Sequence, residues 1–520
     1  MSAKDLLDEL KQRREWAEAQ GGEANVARQH KAGRLTIRER IAGLADSDSF
    51  FEIGKLTGAE TFEDGKIKHV TPAAYVMGLC DVDGRTVAVG GEDFTVRGGT
   101  SASLDRLKGG QGGFIEDLAH EYRIPLVNLI DGAGGSVTSA KRRGHTVFPG
   151  INSFDRSVDL MGEVPVVAAV MGSAAGGPAG RAILSHFSVM VEGTSQIFAA
   201  GPAVVERSLG QKIDKEDLGG PEVAVHQGGT IDNVVTSEEE CFAEIRRFLS
   251  YMPQNVWEQP PIEDSDDPAG RTEESLDSIV PENRRQAYDM RRVIELVSDT
   301  GSVFELQPHY GKSLITCLAR FGGHVTGIVA NNPEVYGGAM DGPAARKQIR
   351  FVEMCDAFHI PLVFLVDVPG FMVGLQAEAS GVLRDGMRAL YVASQATVPV
   401  MTVVIRKCYG MAGLATCHRR SLDFSLSWPT GEWGSLPIEG GVAAAYRREI
   451  ENSDDPKKRE AELEEDLREY ASPFRTAAAF GVEDLIQPSE TRAYLCRFVK
   501  LAQGRLKTEL GPKARVGVRP

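Results

Sequence analysis

The pattern of apolar and polar positions changes character twice along the chain. Over residues 4–20, Leu6, Leu7, Leu10, Arg14 and Ala17 fall near one face and charges cover the other, a spacing that predicts an amphipathic surface helix. Gly21-Gly22 interrupts it, and a second helical stretch runs to about Ala45. From Phe50 onward short apolar runs with turn residues between them take over: Ala74–Cys80, Thr86–Val89, Pro125–Ile130 and Val164–Val170, with helical patterns such as Phe114–Tyr122 among them. Continuous apolar strands alternating with helices predict buried sheets of the α/β class. A polar stretch from about Met252 to Asn283, rich in proline and acidic residues, reads as an interdomain linker. The expected organisation is an N-terminal domain over 1–255, with a helical segment over 1–45, a linker over 256–283 and a C-terminal domain over 284–520.

After the linker the alternation of apolar strands and helices restarts, and the restart is an internal repeat. Phe51-Glu52 recurs as Phe304-Glu305. The run IPLVNLIDGAGG from Ile124 recurs as IPLVFLVDVPGF from Ile360, pairing Asp131 with Asp367 and Gly134 with Gly370. The run VPVVAAVMGSAAGG from Val164 recurs as VPVMTVVIRKCYGM from Val398. In both copies one apolar strand ends in Asp and a glycine turn, and a second ends in a small-residue turn that enters a helix. Two matches in the same order at nearly the same offset point to duplication.

Length and charge narrow the possibilities. At 520 residues the chain exceeds a single core. A net charge of −15 excludes the broad basic footprint that nucleic-acid binding requires. The seven cysteines are scattered, with no C-x-x-C pair and no histidines interleaved at ligand spacing, so neither zinc nor a disulfide framework is expected. No stretch approaches the roughly 18–20 apolar residues of a membrane helix, and the N-terminus lacks an apolar signal core. The expectation is a cytoplasmic enzyme, or one of an organellar matrix in a eukaryote, with no metal of its own.

The two small-residue turns, Gly172–Gly180 and Arg406–Gly413, are where chemistry is expected. Small residues let backbone approach a ligand, and N–H groups in the first turn of the following helix have no intrahelical partner. Such donors suit an oxyanion, as when negative charge develops on a thioester oxygen. The alternative is that these glycines only permit tight strand–helix packing. Asp131 and Asp367, at strand ends before glycine turns, are explained as well by turn hydrogen bonds as by catalysis.

With these motifs in view, the chain resembles the carboxyltransferase (β) subunits of biotin-dependent acyl-CoA carboxylases, the propionyl-CoA carboxylase group and its relatives. Matching stretches span essentially the whole chain: RLTIRERIAGL from Arg34, EDFTVRGGT from Glu92, DLGGPEVAVHQGGTID from Asp217, LSYMPQN from Leu249, FVEMCDAFHIPLVFLVDVPGF from Phe351, ATVPVMTVVIRKCYG from Ala396 and SWPTGEW from Ser427. The resemblance implies two tandem crotonase-like domains, each a β-β-α superhelix, with acyl-CoA held by the N-domain and biotin by the C-domain. It also implies a homohexameric core with active sites between subunits. Carried onto this chain, it assigns the enolate to N–H groups at Gly176 and Gly177 and the ureido oxyanion to those at Met411 and Ala412. Gly134, Gly135 and Leu414 fall on the substrate side; Gly370, Phe371, Tyr409 and Gly410 fall on the biotin side. Decarboxylated biotin is the implied base, so no catalytic His or Glu is required.

Three departures from the family pattern bear on this. Where the family usually reads SGGARIQEG, this chain reads GAGGSVTSAKRRG from Gly132, with a Lys141-Arg142-Arg143 cluster that either meets CoA phosphates or is a solvated loop. Pro178 has no N–H to donate. Gly413 and Leu414 stand where relatives often carry Tyr and Asp, implying a different acyl pocket or drift in a loop that never touches the acyl group. The chain also lacks an ATP-binding glycine-rich loop and an Ala-Met-Lys-Met biotinylation sequence, so biotin carboxylase and the biotin carrier are expected on partner chains. Other readings are the carboxyltransferase of a transcarboxylase or of a sodium-pumping decarboxylase, a crotonase-type hydratase or hydrolase acting without biotin, and a non-catalytic scaffold.

Overall fold

The computed structural model describes residues 2–100, 113–135, 141, 144–146, 154–417 and 424–514. The chain divides into two compact units, Met1–Glu258 and Gln259–Leu510, and from Gly511 it returns to the first, where the Gly511 N–H donates to Val256 O at 2.8 Å. The proline-rich acidic segment therefore belongs to the second unit from Gln259 on. Its acidic residues have partners there: Asp277 accepts from the Ser489 N–H at 2.9 Å and from Gln487 Nε2 at 2.8 Å. Leu276 lies in that unit's core.

The first unit opens with the helix Ala3–Glu18, started by a reciprocal capping box between Ser2 and Asp5. The single helical stretch expected up to Ala45 is two helices, Glu23–Lys31 and Ile37–Leu44, because Thr36 and Glu39 form a second capping box that starts a new helix. Strands follow: β1 Phe51–Glu52, β2 Gly58–Glu63, β3 Lys66–Pro72, β4 Tyr75–Val82, β5 Arg85–Glu92, β6 Leu126–Ile130, β7 Val166–Val170, β8 Ser173–Ala175, β9 Phe187–Val191, β10 Gln196–Phe198 and β11 Asn233–Val235. The second unit carries β12 Phe304–Leu306, β13 Leu314–Phe321, β14 His324–Asn331, β15 Leu362–Val368, β16 Val400–Tyr409, β17 Phe424–Ser427, β18 Glu432–Gly434 and β19 Asp484–Leu485.

Among the described residues the two main sheets have one topology. The first runs β1-β4-β5-β6-β7-β9-β11 and the second β12-β13-β14-β15-β16-β17-β19, with β18 also on β16. In each, the first three strands are antiparallel and the rest are parallel. Every residue of β6, β7 and β15 is buried, as expected of parallel strands covered on both faces.

The duplication extends to single hydrogen bonds. The Asp131 N–H donates to Glu92 Oε2 at 3.4 Å, and the Asp367 N–H donates to Asn331 Oδ1 at 3.1 Å. Each strand end is crossed by a tight turn, Arg97–Gly99 in one unit and Tyr336–Gly338 in the other, whose first residue is non-glycine in the left-handed region (φ +52° and +54°). A Cβ on Gly99 would sit 2.8 Å from Asp131 O, and one on Gly338 would sit 2.2 Å from Asp367 O. Only bare backbone fits against the carbonyl there.

Both aspartates are wholly enclosed. Asp131 accepts from Gln29 Nε2 (3.0 Å), Arg34 (3.2 Å) and Arg40 (3.0 Å). Arg40, itself buried, also reaches Glu238 at 2.8 Å and Met171 O at 2.8 Å. Burial pulls its pKa down, but Asp131 and Glu238 outweigh that and the net shift is upward, so the guanidinium stays charged. Removing one partner of such a pair strands the other's charge. Asp131→Ala is therefore expected to cost about 3–5 kcal/mol in urea-unfolding stability; a loss below about 1 kcal/mol would show that Arg40 is not organising the first unit.

Candidate functional site

In the first unit the site elements are two turns in backbone contact. β7 runs through Met171 and Gly172 into β8, and Gly176 then starts the helix Gly177–Ile183 with φ +63° and ψ −124°, a conformation open to glycine. The first intrahelical bond is from the Gly180 N–H to Gly176 O at 2.9 Å, so the N–H groups of Gly176 and Gly177 precede any intrahelical acceptor. The turn after β6 lies alongside: the Ala175 N–H donates to Gly132 O at 3.1 Å. Gly134 has φ +76°, and a Cβ there would come within 2.4 Å of Ala175 O and 3.5 Å of Gly176 Cα. Gly134 and Gly176 are thus brought together, whereas a Cβ on Gly135 would meet nothing within 4 Å. Pro178 is buried in the first turn of the helix, its ring close to Gly132.

An ion pair lies on the helix that follows the second of these turns. Arg181, on the same helix, bonds the enclosed Glu92. Burial raises the Glu92 pKa, and Arg181 counteracts it. Lys141 is exposed, while Arg142 and Arg143 lie outside the described residues.

In the second unit β16 ends at Tyr409, and Gly410 (φ +59°) begins the helix Gly410–Ala415. Ala412 and Gly413 are buried; Met411 and Leu414 are 45% and 48% exposed. A cavity of about 510 Å³ opens beside this turn, lined by Gly410, Met411, Gly413, Leu414, Trp433 and Ser435 among others. Tyr409 is buried, and burial together with Glu432 and Glu439 pushes its phenol upward. Burial also raises the pKa of Glu432, which pairs with Arg284 at 2.7 Å. Gly370 O accepts from the Met340 N–H at 3.1 Å. The Phe371 ring packs where Gly386 has no side chain, 2.3 Å from a Cβ built there, so that ring has a structural partner.

Asp367 accepts from Arg406 Nε at 3.0 Å and from the Lys407 N–H at 3.2 Å. With Asp131 equally engaged, neither strand-end carboxylate faces solvent as a free base. Pattern reading missed Arg40, Glu92 and Arg181, because polarity in sequence is taken for exposure, and placed Arg406 through Tyr409 in the second turn, where the structure continues β16 to Tyr409; all four charged residues are buried. It also missed the Arg97 and Tyr336 turns, which an alignment of VRGG at Val96 with VYGG at Val335 reveals. Among the described residues no group of His, Cys, Asp or Glu is placed to hold a metal.

Comparison with known proteins follows the same lines. A family model described as carboxyl transferase domain matches residues 28–516. The chain is 37% identical over 514 residues, 98% of each chain, to the propionyl-CoA carboxylase, carboxyltransferase subunit of Haloferax mediterranei. It is 35% identical, over 91% of each chain, to the methylmalonyl-CoA decarboxylase subunit alpha of Veillonella parvula. It superposes on the transcarboxylase 12S crystal structure, a hexamer with methylmalonyl-coenzyme A and methylmalonic acid bound, with a TM-score of 0.87 and 32% identity over 100% of this chain and 99% of that one.

The two neighbouring glycines of the first turn give opposite expectations. Gly134→Ala forces a left-handed alanine against Ala175 O and should cost more than about 1 kcal/mol in urea-unfolding stability. Gly135→Ala should stay within about 0.5 kcal/mol. Equal effects would show that the contact between the turns does not constrain the fold.

Proposed function

Because this chain belongs to the carboxyl transferase family, we propose a division of labour between its two duplicated turns. The enzyme is a carboxyltransferase of the biotin-dependent acyl-CoA carboxylase type. One observation carries the proposal: each half presents, at an equivalent point of an equivalent sheet, a small-residue turn whose first N–H groups precede the helix's own hydrogen bonds. Gly176 and Gly177 donate to the thioester oxygen as the enolate forms, with Gly134 and Gly135 shaping the approach of the acyl-CoA. Met411 and Ala412 donate to the ureido oxygen of biotin, and Tyr409, Gly410, Gly370 and Phe371 frame that side. The largely apolar lining and volume of the cavity beside Met411 and Leu414 suit a fused-ring ligand. Biotin, carried on a partner chain, supplies the carboxyl group and then a nitrogen that accepts the α-proton of the acyl-CoA. The protein's part is to stabilise two oxyanions by fixed dipoles, which need no reorganisation as charge develops.

The acyl substrate is taken to be propionyl-CoA or a near relative. Lys141, with Arg142 and Arg143 beside it in sequence, supplies cations for the CoA phosphates. A biotin carboxylase and biotin carrier complete the enzyme, the core is a homohexamer, and the reaction takes place in the cytoplasm. A second reading, transfer run toward biotin in a decarboxylase, is favoured by the likeness to methylmalonyl-CoA decarboxylase subunits. Incubating the chain with its biotin-carrying partner, bicarbonate and a panel of acyl-CoAs, with and without ATP, separates the two. ATP-dependent product identifies the carboxylase, and methylmalonyl-CoA loss without ATP identifies the decarboxylase. Turnover without any biotin would refute both.

Two substitutions probe the halves separately. Gly177→Pro removes one donor and should lower kcat about a hundred- to a thousandfold, roughly 2.7–4 kcal/mol. Gly177→Ala keeps the N–H and its Cβ meets no protein atom within 4 Å, so it should fold normally and lose less activity than Gly177→Pro; circular dichroism and oligomer size check both proteins. Leu414→Asp should shift kcat/KM toward shorter acyl chains by about 1–3 kcal/mol, and an unchanged chain-length profile would put Leu414 outside the acyl pocket.

A further inference from the structure

Two thiols meet beneath the second turn. Cys408 Sγ and Cys417 Sγ are 3.6 Å apart. Cys408 is the penultimate residue of β16, and Cys417 follows Thr416, the C-cap of the helix Gly410–Ala415. Both are buried, at 8% and 5% exposure, but Cys408 also lines the 510 Å³ cavity. A small neutral molecule entering that cavity therefore comes against Cys408, one residue of the pair, without unfolding. The other five cysteines are also buried, and burial pushes their thiols upward, that of Cys80 to about 12. They are correspondingly poor nucleophiles toward an oxidant.

The pair is coupled mechanically to the turn. A Cβ on Gly413 would lie 3.0 Å from Cys408 Sγ, so the sulfur packs directly against the short helix. Thr416 Oγ1 donates to Ala412 O at 3.0 Å, and Gln348 Nε2 donates to Ala415 O at 2.6 Å. Bonding the sulfurs requires them to close from 3.6 Å to about 2.05 Å. Displacement of that size, passed through Thr416 to Ala412, moves donors whose placement matters at the scale of about 1 Å.

We propose that Cys408 and Cys417 are a redox-active pair, oxidised by hydroperoxides to an intramolecular disulfide that turns off the Met411–Ala412 side of the site. The steps balance. The Cys408 sulfur, as thiolate, attacks one peroxide oxygen, the O–O bond breaks, and the leaving oxygen takes up protons and departs as water. The Cys417 sulfur then attacks the resulting sulfenic acid, the S–O bond breaks, and a second water leaves. Two thiols lose two hydrogens and two electrons in forming the S–S bond, and one hydrogen peroxide becomes two waters. A dithiol reductant reverses the change by exchange.

The loss of activity rests on the proposed role of Met411 and Ala412; formation of the disulfide does not. The test treats the reduced, intact carboxylase complex with hydrogen peroxide, assays carboxyl transfer, alkylates remaining thiols and maps the tryptic peptide Cys408–Arg419, which holds both cysteines. The expected result is that this peptide loses two hydrogens and takes no alkyl group while the rate falls more than tenfold, and that dithiothreitol restores both. Cys417→Ser should keep the basal rate and resist peroxide, and Cys417→Ala provides the same test if the serine is not tolerated. Two alkyl groups on the peptide after inactivation, a disulfide with an undiminished rate, or equal inactivation of the Cys417 variants would overturn the proposal. If the reduced complex transfers no carboxyl group to any acyl-CoA, the functional reading fails, and the peptide map still decides whether the pair forms.

Discussion

A carboxylate sealed at the end of a central parallel strand is the constraint on which each half of this protein depends. Asp131 directly follows β6 and Asp367 lies near the end of β15; both are fully enclosed and neutralised by arginine. A buried carboxylate without a partner would be costly enough to lose its charge or unfold its surroundings. Each aspartate therefore dictates what stands around it. The duplicated halves meet the demand differently. Two residues past β7 the first half has Gly172, where a Cβ would lie 2.0 Å from the Asp131 carboxylate, and its arginine arrives from the helix Ile37–Leu44. The second half places Arg406 on the neighbouring strand itself. This difference makes the N-terminal helical segment an integral part of the first half's core.

From those anchored strand ends the turns inherit their rigidity. Gly99 and Gly338 press on the aspartate carbonyls, Gly134 presses on Ala175, and Glu92 with Arg181 ties the end of β5 to the helix after Gly176. Backbone donors held in this way have little freedom to relax, which is what electrostatic stabilisation of a developing oxyanion requires. The arrangement also accounts for the absence of a free acid at the strand ends, since the aspartates are occupied in supporting the turns.

Two fixed donor turns have no intrinsic direction. In the roles proposed for them they would lower the same barrier whether the carboxyl group travels to or from the thioester, because both directions share one transition state. The likeness of this chain to a carboxylase subunit, to decarboxylase subunits and to a transcarboxylase core is what such a site would allow. On that proposal, direction would be set by what the partner chains couple to the transfer.

The α/β class, the duplication and the two turns were legible in the sequence because each depends on local pattern: apolar runs of strand length, Asp before glycine, small residues before a helix. So was the restart after the acidic segment, although composition alone did not reveal that residues from Gln259 pair within the second unit. The tertiary structure decided which side chains meet beyond the local pattern. Arg40 as the counter-ion of Asp131, Arg181 as that of Glu92, the packing of Phe371 over Gly386 and the meeting of Cys408 with Cys417 join residues brought together by strand order or by a short helix reversing the chain. Polarity along a sequence marks which side chains carry charge. Whether that charge is solvated, or sealed against an opposite charge, is determined only when the sheets close over it.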